Sequence, residues 1–203
     1  MRVKAEVMCE LLDKDSRIVK VLRFESRSFV KNFMNMLYAI LCKTTSPAKD
    51  LDGNNTQWVG AAENKTGHWC HYNFKIILDE GRDDAGIIVG SGSTAVTPDD
   101  YRLESKIPHG DGDNQLHYYE TQLLDPAVAD GEAEVKVRRA FINYGSVPVT
   151  VSEVGLVNNP VHYYEDVHSM PGPRLLARDV LSSPVTLDPG CSLHVTYRIY
   201  VGV

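Results

Sequence analysis

The sequence predicts a mainly β protein: an antiparallel β-sandwich, jelly-roll-like, with one α-helix in the N-terminal half. Three observations predict it. Both ends of the chain alternate between apolar and polar residues at the period of a strand. Turn residues separate a succession of such segments through the second half. Only one stretch carries apolar residues at helical spacing. At 203 residues the chain suits a single domain, 1–203, large enough to bury its own core.

At the N-terminus Val3, Ala5, Val7, Cys9 and Leu11 share one face, and Arg2, Lys4, Glu6 and Glu10 the other. A second strand is expected over Ile18 to Phe24. The helix is expected over about 28–42, where Phe29, Phe33, Met36, Leu37, Ile40 and Leu41 form a stripe. Ser26 or Ser28 is placed to cap it. Residues 44–67 are polar and turn-rich. They read as an extended loop with a short strand around Gln57 to Ala61.

Strand patterns follow at Cys70 to Leu78, Gly86 to Val89, Leu116 to Leu124, Val135 to Ile142, Val147 to Leu156, Leu175 to Leu181 and Cys191 to Val201. The last is the clearest. Cys191, Leu193, Val195, Tyr197, Ile199 and Val201 alternate with Ser192, His194, Thr196 and Arg198.

Residues Asn143-Tyr144-Gly145-Ser146 are expected to close a hairpin with Gly145 left-handed. Phe141 then faces Val149, and Arg139 lies diagonal to Glu153. These two are expected to pair on the inward face, because an unpaired buried charge is costly.

The net charge of −6 argues against a nucleic-acid partner. No stretch reaches the roughly 18 apolar residues of a membrane span. The N-terminus has no signal-peptide core, so folding in a cytoplasm is expected. Cys9, Cys70 and Cys191 fall on apolar phases, Cys42 ends the helical run, and none shows a CxxC spacing. All four read as reduced thiols.

Gly90-Ser91-Gly92-Ser93-Thr94-Ala95 fits a dinucleotide fingerprint in letters. A helix must open there to meet a pyrophosphate, and Thr94-Ala95-Val96-Thr97-Pro98 does not provide one. The glycines read as a tight strand exit, and Thr97-Pro98-Asp99-Asp100 as a capped helical turn. His68, Cys70, His71, His162 and His168 do not show a convergent zinc set. Asp111-Gly112-Asp113-Asn114 reads as a turn rather than a calcium loop. No nucleophile elbow or metalloprotease motif is present. No cofactor, metal or catalytic residue is therefore expected.

Trp58, Trp69, Tyr118 or Tyr119, Tyr163 and Tyr164 lie on exposed phases. They suit interface anchors, or alternatively a sugar-stacking surface. With Phe29, Phe33 and Met36 of the helix, Trp58, Tyr163 and Tyr164 are the expected interface residues.

The segments GIIVGSGSTAVTPDDYRLESKIPHGDGDNQLHYYE, RRAFINYGSVPVTVSEVGLV and LLARDVLSSPVTLDPGCSLHVTYRIYV resemble blocks of uncharacterised structural proteins, virion- or tail-associated, of tailed bacteriophages and prophages. SFVKNFMNMLYAIL also fits that pattern. The resemblance covers roughly residues 26–201. It implies a non-enzymatic virion component, assembled in the host cytoplasm, whose partners are other copies of itself and other virion proteins. The roles it admits are capsid decoration, neck or tail, and baseplate or fibre. A carbohydrate- or receptor-binding tail module is the alternative. Arg178-Asp179 is a candidate cross-strand or cross-subunit ion pair.

Overall fold

The structure, a computed structural model, describes residues 2–26, 28–42, 45–59, 62–63, 69–70, 73–129, 131–161 and 172–202. The chain runs through β1 (Arg2–Leu12), β2 (Ile18–Ser26), α1 (Lys31–Cys42), β3 (Thr45–Lys49), β4 (Asn55–Val59), β5 (Ala62–Glu63), β6 (Trp69–Cys70) and β7 (Asn73–Lys75). It continues through β8 (Gly86–Gly90), β9 (His117–Tyr118), β10 (Gln122–Ala129), β11 (Glu132–Ile142), β12 (Val149–Val161), β13 (Arg174–Leu187) and β14 (Ser192–Gly202).

Two antiparallel sheets form the sandwich. The first has the order β10-β11-β14-β1-β2, with β9 also on β11. The second centres on β12, which pairs with β13 on one side and with β8 and β7 on the other. Alternation decides which side chains fill the space between them. Ala5, Val7 and Cys9 of β1, Leu193, Val195 and Tyr197 of β14, and Val137 and Phe141 of β11 are all buried. So are Val151, Val154 and Leu156 of β12 and Leu187 of β13. The Tyr197 hydroxyl crosses the interior to donate to Asp179 Oδ2 at 3.0 Å. Burial, together with the Asp179 charge, pushes the Cys9 thiol up to about 12, which leaves it inert as a nucleophile.

The helix starts later than its apolar stripe suggests. Residues 28–30 extend the second sheet instead: Val30 N donates to Leu176 O, and Arg178 N donates to Ser28 O. The Ser26 and Ser28 hydroxyls both donate to Asp179 at 2.8 Å, so neither caps α1. The segment after α1 is also more ordered in pattern than a loop, because β3 and β4 form a hairpin. Its turn is built on Asp50, whose Oδ1 accepts the amides of Asp52 and Asn54.

The expected β11–β12 hairpin does not form. Residues 143–148 carry the chain from the first sheet to the second, and β11 pairs with β14 while β12 pairs with β13. Asn143 holds the crossing, with Nδ2 donating to Val147 O at 2.8 Å and Leu187 O at 2.9 Å. Gly145 is not left-handed. A Cβ there would lie 2.8 Å from the Gly112 carbonyl, so close approach explains the glycine.

The crossing separates Arg139 from Glu153, and their expected ion pair is absent. Arg139 points into the first sheet's inner side and finds carbonyls rather than a carboxylate. Its Nε donates to Tyr119 O at 2.7 Å, Nη1 to Ala85 O at 3.0 Å and Ile87 O at 3.1 Å, and Nη2 to Arg82 O. The guanidinium lies 4.9 Å from the Tyr118 ring centre. Burial pulls it down to about 10, still charged at neutral pH. Replacing it by Met (Arg139→Met) keeps the stem but strands these buried carbonyls. Urea unfolding is expected to show a loss of about 3 kcal/mol.

Candidate functional site

The glycine loop after β8 binds anions, but the anions are the protein's own. Glu153 is fully buried on the outer side of the second sheet. Its Oε1 accepts the amides of Gly92 at 3.2 Å and Ser105 at 2.8 Å. Its Oε2 accepts the Glu104 amide at 3.2 Å and Arg178 Nε at 2.7 Å. Arg178 then donates from Nη1 to Asp100 Oδ2 at 2.8 Å, and from Nη2 to the Thr94 carbonyl and hydroxyl at 3.2 Å each. Glu104 closes the loop, accepting the Ser93 and Thr94 amides at 2.6 and 2.8 Å.

The electrostatics follow from these contacts. Burial alone would raise Asp100, but hydrogen bonds from Arg178 and Thr97 outweigh it and hold the carboxyl below its usual range. The Thr94 amide and hydroxyl, with the Ser93 amide, lower Glu104. Burial would lower Arg178, yet Asp100 and Glu153 raise it above the ordinary guanidinium value. A Cβ on Gly92 would sit 2.5 Å from both Glu104 Cβ and Glu153 Oε1. The glycines are therefore required by carboxylates that fill the place a pyrophosphate would take. Thr97 to Asp100 closes as a turn, with Asp100 N donating to Thr97 O, rather than opening a helix.

Arg178 and Asp179, adjacent on β13, point to opposite sides of their sheet. Arg178 makes a cross-strand pair with Glu153. Asp179 faces the first sheet and meets Ser26 and Tyr197.

A second polar cluster lies at the surface. His117 Nδ1 is 2.7 Å from Asp111 and Nε2 is 2.7 Å from Glu80. Its ring contacts His109, Tyr119 and Tyr144, and the two tyrosine hydroxyls lie 2.9 Å apart. Burial would lower His117, but the bonds to Asp111 and Glu80 prevail and raise it above 6.5. With each ring nitrogen committed to a different carboxylate, the cluster ties the 80–81 turn to the 111–114 turn. Asp113 docks that second turn on the sheet crossing by accepting the Ser146 amide and hydroxyl. Among the described residues no three His, Cys, Asp or Glu side chains converge on a possible metal position. His68, His71, His162 and His168 lie outside those residues, as do Tyr163 and Tyr164 and the side chains of Trp69 and Cys70.

The remaining expected interface residues are used within the chain. Trp58 is 2% exposed, and Arg174 of β13 lies 4.2 Å from its ring centre. The β3–β4 hairpin folds this tryptophan inward, so it is not a surface anchor. Met36 is buried on the packed side of α1. Phe29 and Phe33 stack at 4.1 Å and stay half-buried. Among the described side chains, the large apolar ones that α1 exposes are Met34 and Tyr38.

The largest apolar exposure beyond α1 lies along the two outer strands of the first sheet. On β2, Ile18, Val19 and Val21 are 56%, 57% and 51% exposed. On β10, Leu123, Leu124 and Val128 are exposed. The signal is present in Ile18-Val19-Lys20-Val21-Leu22, where apolar residues occupy both phases. The second sheet differs. Its β8 edge is covered by residues 105–107, through Ser91 N to Ser105 O and Ile107 N to Val89 O, and β13 by residues 28–30. Among the described residues, nothing pairs with the free side of β2.

No protein-family model matches the chain, and neither a curated protein nor a solved structure is detectably similar to it.

The cradle and the surface clamp give separate expectations. Gly92→Ala forces fixed carboxylates apart, and a stability loss of about 2 kcal/mol is expected in urea unfolding. The His117 clamp carries a sign. A raised folded pKa contributes stability in full below 6.5, the ordinary imidazole value, and loses it as pH rises through the higher folded value. The stability difference between wild type and His117→Gln is therefore expected to be larger at about pH 6 than at about pH 9. A difference that grows with pH would refute the clamp.

Proposed function

We propose that this chain is a non-enzymatic structural subunit of a tailed-phage virion, assembled in the host cytoplasm and working through contacts with its own copies and other virion proteins. One observation carries the assembly part: among the described residues nothing pairs with the outer side of β2, which keeps three exposed β-branched residues, while described segments cover β8 and β13 of the other sheet. A free apolar edge is a template for a further strand, and proteins that act alone blunt it. The buried acids and guanidinium of the cradle are spent on holding residues 91–105, which supports a structural role for the one motif that suggested a cofactor. The phage part rests on the sequence resemblance.

The nested pairing of β12 with β13 inside β11 with β14 supports a jelly-roll-like reading of the sandwich. A sugar-binding module has less support. It calls for an exposed aromatic platform, whereas Trp58 and Tyr118, two of the rings expected to build it, are buried. The test is peptide mass spectrometry of gradient-purified particles from the host strain. The chain is expected in the particle fraction in many copies, and its confinement to the soluble lysate would refute the reading.

A further inference from the structure

We infer that Arg138 and His194 form a proton-operated latch on the outer side of the first sheet: the neutral imidazole holds the guanidinium, and the imidazolium releases it and pairs with Glu10 instead. The latch is independent of the virion reading.

Strand pairing puts the three groups side by side. Leu193 and Val195 are buried between the sheets, so His194 of β14 points outward. It lies directly opposite Glu10 of β1 on one side and Ala140 of β11 on the other. Glu10 follows the buried Cys9, and Arg138 lies between the buried Val137 and Arg139, so both share the outward side. Ala140 is small enough to let Arg138, diagonal to His194, reach the ring. Arg138 Nη2 lies 2.6 Å from His194 Nδ1.

That bond exists in one protonation state. A guanidinium has donors and no acceptor, so Nδ1 accepts and the ring proton sits on Nε2. A second ring proton would set two donors and two cations against each other at 2.6 Å. Burial of the ring and the Arg138 charge both pull His194 below 6.5, and Glu10 pulls the other way. At neutral pH the ring is therefore uncharged and the latch closed.

Both groups have a new partner within reach once His194 takes a proton. Facing residues on antiparallel strands have Cβ atoms about 5 Å apart, so side-chain rotation brings the imidazolium to Glu10. Arg138 lines a hollow of about 500 Å³ with Glu80, Tyr119, Glu120 and Gln122. Most of the charged and titratable groups there are taken. Glu80 is held by His117 at 2.7 Å, the Tyr119 hydroxyl lies 2.9 Å from that of Tyr144, and Arg139 donates to carbonyls. Glu120 is exposed and accepts the Gln122 amide through Oε1 alone, so its Oε2 can receive the released guanidinium.

The sign of the pH effect is opposite to that of His117. A lowered folded value contributes stability in full above 6.5 and loses it as pH falls from there through the folded value. The stability difference between wild type and His194→Gln is therefore expected to be larger at about pH 8 than at about pH 5.

The experiment follows imidazole and guanidinium NMR signals of the full chain from about pH 4.5 to 8, the range that brackets imidazole titration. The chain has seven histidines, and the His194 signal is the one lost in His194→Gln. Its midpoint is expected below 6.5, and the Arg138 Nε–H signal is expected to move with that same midpoint. Arg138→Gln is expected to raise the midpoint by about one pH unit, a tenfold gain in proton affinity. Glu10→Gln is expected to lower it.

A wild-type midpoint at or above 6.5 overturns the latch. So does an Arg138 signal blind to the His194 titration. Both are read on the wild-type chain and hold even if a variant fails to fold. A midpoint that stays in place in Arg138→Gln overturns it as well, since burial alone would leave that variant unchanged. A midpoint that Glu10→Gln does not lower, or a stability difference that grows as pH falls, does the same.

Discussion

The contact between Arg178 and Glu153 is the constraint from which the second sheet's outer side follows. That side has no helix across it at this point. It is covered by residues 91–105, a segment without regular secondary structure, whose backbone amides need acceptors once buried. Glu153 supplies them for Gly92, Glu104 and Ser105, and Glu104 for Ser93 and Thr94. The two carboxylates therefore do for this segment what a neighbouring strand does elsewhere. Burying Glu153 and Arg178 without one another would cost several kcal/mol per ion. Together, and with Asp100 on the guanidinium's far side, each Glu153 oxygen and each Arg178 guanidinium nitrogen has a partner.

The same device recurs with different partners. Three arginines on strands each fasten an irregular or hairpin segment to the sandwich. Arg178 holds the 91–105 segment through carboxylates. Arg139 holds residues 82–87 through backbone carbonyls, with its charge spread over dipoles and the Tyr118 ring. Arg174 reaches Thr56 Oγ1 and Gln57 O, and lies over Trp58, so it holds the β3–β4 hairpin. A guanidinium suits this work because its rigid fork serves several acceptors at once, which an ammonium on a flexible stem does less well. The sandwich thus adds three cationic pegs to an interior that also holds the polar group of Asp179 with Ser26 and Tyr197.

The alternation that was legible in the sequence is the part that depends on neighbours along one strand. Val7 and Cys9, or Val195 and Tyr197, announce their faces by period alone, and the structure buries them accordingly. What was not legible depends on which strands meet. Arg139 and Glu153 are close in sequence and share an apparent phase, and a hairpin was the shortest way to connect them. The chain instead changes sheets at Asn143, and nothing in Asn143-Tyr144-Gly145-Ser146 separates a hairpin loop from a crossing. Glu153 did need an arginine, but its partner lies in another strand that only the pairing of β12 with β13 brings near. The helix began late because Phe29 and Val30 satisfied a strand edge as well as a helical stripe. Trp58 turned inward because its short strand acquired a hairpin partner that its polar surroundings did not announce.

The exposed apolar residues of β2, Ile18, Val19 and Val21, need an account of a different kind, since more than half of each stays exposed. Overall composition does not force them, because the same phase of the same strand continues into Arg23 and Glu25, as a solvated edge should. Fold stability does not require them either. The residues of β2 that face the core are Leu22 and Phe24, on the other phase, and Val19 and Val21 remain more than half exposed. Both outer strands of this sheet carry a register shift, at Val19 near the start of β2 and at Asp125-Pro126 within β10, and only β10 adds a proline to it. β2 is interrupted only near its start, and its single lysine reaches Ser183 and Pro184 of β13. Within one sheet, that difference leaves β2 the less interrupted of the two outer strands.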